Sequence, residues 1–248
     1  MTFLAVFAGA WAGSYLLRKP LHRSPFLFYA VAVAVDLVGL FGVSSGLPRT
    51  VWRLLFELQR EALLPLALFS VVMFIGCFRK DSPVGRSLLP VRGELSIIAW
   101  ILSLEHVVVY MKAYLPRVLG ASAVPTSVLG GFAIAVVLLA LLLVLGVTSF
   151  KLVRRAMPSK LWKAVQRLSY PFFALVFVHV LLMLAPSAVN GGAAAQVSVL
   201  VYVALFGLYV ALRAARYVAD CRDGHAQGAR DVEDAAWVPE SEDGTLLA

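Results

Sequence analysis

Seven runs of apolar residues follow one another along the chain, at about 2–17, 26–43, 62–78, 95–114, 128–150, 168–186 and 197–215, with short polar joints between them. Runs of this length suit α-helices that cross a hydrocarbon core of about 30 Å. They are continuous rather than alternating, which excludes the dyad-patterned strands of a membrane β-barrel. The pattern predicts an all-α, polytopic membrane helix bundle of about seven transmembrane helices. One further stretch, "TVWRLLFELQRE" at 50–61, is amphipathic at helical spacing. It predicts a helix that lies at the interface or caps the third span.

Composition supports this reading. The chain is 61% hydrophobic and 15% charged, whereas a soluble domain averages about 45–50% apolar and about 25% charged. The net charge of +8 hides two regions. Residues 218–248 hold eight acids and two arginines, so this acidic tail is expected to be disordered in the cytoplasm. The rest is strongly basic, almost all of it in joints between helices, where such charge sets topology and touches anionic lipid headgroups. No basic groove interleaved with aromatic residues points to nucleic acid. Seventeen Lys and Arg fall on one side of the predicted spans, in the loops that hold Arg18, Arg79, Lys151 and Arg213, and five fall on the other. The positive-inside bias places the N-terminus outside and the C-terminus in the cytoplasm. Both cysteines, Cys77 and Cys221, then lie near the cytoplasmic side, as reduced thiols with no disulfide. The expected organisation is an additional N-terminal helix and loop at 1–25, a membrane domain at 26–217 and the tail at 218–248. The first run is read as a retained span rather than a signal peptide, because its basic residues follow the apolar stretch.

Candidate chemistry comes from ionisable side chains inside the apolar runs, which are costly there and are functional hypotheses by default. Of four histidines, His106 and His179 are in mid-span. Their helices run in the same direction. His106 lies 14 residues beyond Arg92 and His179 lies 12 beyond Arg167, depths of about 21 and 18 Å from the inner boundary. Two imidazoles at one depth suit the two axial positions of a haem iron; the alternative is that each ring only specifies helix packing. Asp36 and Glu105 are also in mid-span. Glu105 is a proton carrier, a partner that orients a ligand histidine, or a protonated acid paired with another helix, and the same readings stand for Asp36. Ser103 and Tyr110, at i−3 and i+4 from His106, share its face and are candidates to hydrogen-bond a ligand ring or simply to pack. Gly130 and Gly131, with Ala133 and Ala135, suggest a close helix approach in the fifth run.

The stretch "VTSFKLVRRAMPSKLWKAVQRLSYPFFALVFVH" resembles the ferric reductase-like transmembrane domain, the superfamily of the membrane domains of ferric reductases and NADPH oxidases. The nearest pattern is the haem-binding membrane subunit of the bacterial periplasmic methionine-sulfoxide reductase system. The shared features are "TSF" at the end of one span, the pair Arg154 and Arg155, Trp162 at a helix start, and a histidine thirteen residues past the motif histidine, where His179 stands. Upstream, "PVRGELSIIAWILSLEHVVVY" resembles that family's helix, with His106 in a ligand position. The resemblance covers roughly residues 50–215. It implies haem b, iron bound by His106 and His179, a multi-pass place in the bacterial cytoplasmic membrane, and electron transport between a donor and an extracytoplasmic redox partner. Two departures qualify it. Gln166 stands where the family has the motif histidine, so one haem is expected rather than two. The additional N-terminal span departs from a six-helix core. The roughly 30 residues after the last run are too few for a flavin or nicotinamide domain, so electrons are expected from membrane quinol or a cytosolic flavoprotein. The rival reading is a proton-coupled transporter or non-redox scaffold that uses Asp36, Glu105, His106 and His179.

Overall fold

The computed structural model of the chain describes residues 2–41, 46, 48–120 and 125–236. Among these it is all-helical. The helices are α1 (Thr2–Leu16), α2 (Arg18–Arg23), α3 (Pro25–Phe41), α4 (Arg49–Leu55), α5 (Leu63–Ile75), α6 (Pro83–Leu88), α7 (Arg92–Leu119), α8 (Thr126–Ser149), α9 (Lys151–Ala156), α10 (Ser159–Gln166), α11 (Ser169–Val189) and α12 (Ala193–Ala236). A helix covers most of every apolar run that the sequence marks. Among the described residues, four helical stretches are long and apolar enough to cross a membrane: Pro83–Leu119, Val128–Ser149, Ser159–Val189 and Ala193–Asp223. The bent pair Arg49–Gln59 and Leu63–Ile75 makes a fifth if it is one span. The remaining two runs form α1 and α3, of 15 and 17 residues. These reach only about 22 and 26 Å against a core of about 30 Å. The protein is thus a multi-pass membrane protein. The helix α12 continues into the acidic segment as far as Ala236; residues 237–248 of that segment lie outside those described.

The amphipathic stretch 50–61 becomes α4 followed by a π-helical turn, Phe56–Arg60. The chain then bends by 45° into α5. Ala62 makes the bend with a φ of 56°, in the left-handed region that non-glycine residues seldom occupy. Pro65 lies in the first turn of α5, where a missing N–H removes no helical hydrogen bond. The stretch therefore caps the third predicted span.

The centre of the bundle is α5, whose side chains are buried almost without interruption from Pro65 to Ile75. It packs on α1 and α7, while α7 also packs on α3 and α8, and α11 packs on α8 and α12. Aromatic rings lock the junction of α1, α5, α11 and α12. Phe173 stacks on Phe206 at 4.5 Å, Phe74 meets Tyr209 at 5.6 Å and Phe3 meets Tyr202 at 4.8 Å. The outer surface is the reverse of a soluble protein's. Val136, Val137, Leu143, Val144 and Val147 of α8 are all exposed, as are Leu200 and Leu208 of α12. Such faces are stable only against lipid.

One close approach fixes how α7 meets α8. A Cβ on Gly146 would collide with the indole ring of Trp100. Gly146→Ala is expected to overpack this crossing by about 1–3 kcal/mol, lowering the thermal midpoint by roughly 2–12 °C. An unchanged midpoint in detergent would show that Trp100 can swing aside freely.

Candidate intramembrane site

The helix α8 acts as a rail with a contact at each end. Towards its start, the Gly131 carbonyl meets His179 Nδ1 of α11 at 3.1 Å. A carbonyl oxygen only accepts, so Nδ1 carries the proton and Nε2 keeps its lone pair. The close approach expected from the glycine pair is present at Gly131: a Cβ there would strike the Met183 side chain, one turn along from His179. At the other end, Gln166 Nε2 donates to Thr148 Oγ1 at 3.0 Å and Trp162 Nε1 donates to the Thr148 carbonyl at 3.0 Å. The Arg154 guanidinium lies over the Trp162 ring, 4.4 Å from its centroid. Gln166 thus ties α10 to α8, and a turn at Arg167 and Leu168 separates it from α11. The sequence marks Thr148 only as part of "TSF" at the end of a span; its partners Trp162 and Gln166 are not legible there, because they follow two short helices later.

His106 lies on α7, half-buried, with its ring 4.6 Å from that of Tyr110. The predicted shared face of these two residues is therefore real. Ser103 is buried but turns its hydroxyl back to the Trp100 carbonyl of its own helix, at 2.7 Å. His179 is hydrogen-bonded to α8 rather than to α7, so the two histidines are brought to helices that flank one common neighbour.

A second polar cluster lies between α3, the π-helical turn and α7. Asp36 of α3 is 7% exposed, Gln59 is 1% exposed and Glu105 of α7 is 2% exposed. Gln59 Nε2 donates to Asp36 Oδ1 at 2.7 Å. The Glu105 carboxylate fills the space where a Gly39 Cβ would stand and is close enough to Asp36 for the two acids to interact. Gly39 and Glu105, with Trp52, Leu55 and Phe56, line a narrow cleft. The sequence marked Asp36 and Glu105 but missed Gln59. The π-helical turn changes the register of that stretch, so a 3.6-residue period misplaces its side chains.

Among the described residues, no group of three or more His, Cys, Asp or Glu side chains is arranged to hold a bare metal ion. A haem iron asks for only two protein ligands, and a histidine whose other nitrogen is held by a carbonyl is a suitable one. The chemistry of the donor set fits that group: two half-buried imidazoles on different helices, one with its tautomer fixed.

The arrangement is that of a helical membrane bundle with ionisable groups held in its interior. Residues 61–177 match the ferric reductase like transmembrane component, so this segment of the chain carries that family's membrane domain. The family points to a role in membrane electron transfer. The chain is also 36% identical over 200 residues, 79% of its length, to an uncharacterized protein of Treponema pallidum (strain Nichols). That match covers 55% of the relative, so the chain spans about half the length of the curated relative it matches. No solved structure matches the chain.

Proposed function

We propose that this protein is a b-type cytochrome subunit of a bacterial cytoplasmic membrane. It carries electrons from quinol or a cytosolic flavoprotein donor to an extracytoplasmic redox partner, with His106 and His179 as axial ligands of one haem b. The observation that carries this reading is the His179 Nδ1 to Gly131 carbonyl contact, in a chain that carries the ferric reductase-like membrane domain. That hydrogen bond fixes the ring and leaves Nε2 as a ligand. The haem supplies the one-electron chemistry; the helices supply its position and exclude water from it. A single haem is favoured because Gln166 is an amide already engaged with Thr148. In this reading all seven apolar runs cross the membrane, with the C-terminus on the basic, cytoplasmic side.

The test is the optical spectrum of detergent-purified protein, oxidised and dithionite-reduced, with haem counted per chain. We expect sharp reduced α and β bands and one haem per chain. Two haems per chain would refute the single-site reading, and a colourless protein after haem supplementation would refute the cytochrome altogether.

The buried Asp36–Gln59–Glu105 cluster favours a second reading, a proton-coupled transporter or non-redox scaffold, since paired acids inside a membrane often handle protons. A colourless protein would favour it.

A further inference from the structure

At the basic end of the bundle, two arginines converge on one glycine. Arg92, the first residue of α7, donates through Nε to the Val72 carbonyl at 2.9 Å, and its Nη2 packs beside Gly76. Arg213 of α12 donates through Nη1 to the Gly76 carbonyl at 3.1 Å and through Nη2 to the Tyr170 hydroxyl at 2.6 Å. Neither forms an ion pair with an acid among the described residues. The two guanidinium groups are close enough to repel one another. The acids nearby are engaged elsewhere: Asp81 and Asp223 with Arg79, and Asp220 with Arg216. Arg79 holds the Asp81 carboxyl below the usual carboxylate range by a hydrogen bond, so that pair is already formed. Glu94, two residues from Arg92, is bridged to Lys151 at 3.1 Å.

The simplest role for these arginines is to cap the carbonyls at the end of α5. Its magnitude is too small. A helix C-terminus carries about −0.5 charge, against two full positive charges. The starts of α7 and α11, both without a side-chain cap, each add about +0.5 to the same end of the bundle. Two forked guanidiniums and a tyrosine hydroxyl, left with surplus positive charge and unused N–H groups, match the geometry and charge of a phosphate group.

We infer that Arg92, Arg213 and Tyr170 form a phosphate-binding site at the basic end of the bundle, taking a phospholipid headgroup or a free phosphate. The site is independent of the haem reading.

The test is thermal unfolding of the detergent-solubilised full chain. It is titrated in separate arms with phosphatidylglycerol, with diacylglycerol, which lacks phosphate, and with inorganic phosphate. Phosphatidylglycerol at about a hundredfold excess over its Kd is expected to raise the midpoint by about 5–10 °C, and diacylglycerol to leave it unchanged. A shift with phosphatidylglycerol alone assigns the site to a lipid headgroup; a shift with inorganic phosphate as well assigns it to phosphate from either source. Arg92→Gln with Arg213→Gln is expected to abolish the shift, and the exposed Arg86→Gln to keep it. If the double variant does not fold, Arg213→Lys, which keeps the charge but loses the fork, serves in its place and is expected to lose at least half of the shift. No shift with either phosphate compound, or a full shift in the Arg92 and Arg213 variants, overturns the inference.

Discussion

His179→Ala is expected to reduce bound haem by at least about tenfold, and His106→Ala to do the same. Removing an orienting partner of a metal ligand already costs about 10–100-fold in affinity, and removing the ligand itself costs no less. The two variants differ in one informative way. His179→Ala leaves the Gly131 carbonyl and a ring-sized space between α8 and α11. Added imidazole has a hydrogen-bond acceptor waiting there and is expected to restore part of the reduced spectrum. His106 has Tyr110 beside it, so Tyr110→Phe, which keeps the ring but removes its hydroxyl, should leave haem content unchanged if Tyr110 only packs. The measurement is haem per chain, with circular dichroism to confirm that helix content is kept. Full haem in either alanine variant would remove that histidine from the ligand set.

Much of this arrangement was legible in the sequence, and the reasons are specific. Apolar runs announce membrane helices because nothing else satisfies the backbone in lipid. Hence α7, α8, α11 and α12 fall where the pattern puts them, and Gly131 is indeed a site of close approach. Tyr110 shares the face of His106 because four residues are nearly one helical turn. What escaped depends on contacts between distant segments or on irregular backbone. Gln59 enters the interior only because a π-helical turn and the Ala62 bend redirect its stretch. Arg92 and Arg213 are 121 residues apart, and in a one-dimensional reading their charges served only to mark which end of a span faces the cytoplasm. The tie of Gln166 to Thr148 also needs α9 and α10 to fold back on α8. The span count falls short of the seven runs at α1 and α3, whose apolar helices are shorter than a hydrocarbon core, and α5 makes a span only together with the bent stretch before it.

The Asp36–Gln59 pair yields the second large expected effect, and it separates the two functional readings. Gln59→Leu takes away the N–H that Asp36 accepts and leaves a polar group buried without its partner. An unsatisfied buried polar group costs about 1–3 kcal/mol, and more if it is charged. The thermal midpoint should therefore fall by roughly 2–12 °C. Replacing both partners with apolar groups of similar shape is nearly neutral by the same reasoning, so Asp36→Leu combined with Gln59→Leu should be more stable than Gln59→Leu alone. A double variant less stable than the single one would mean that Asp36 has a further partner that depends on its carboxyl. The double variant also carries the functional test. If Asp36 serves only to pack α3 against the π-helical turn, the double variant keeps its haem and its electron transfer. If Asp36 and Glu105 move protons together, the double variant folds and is more stable than Gln59→Leu, yet proton uptake measured in proteoliposomes is lost.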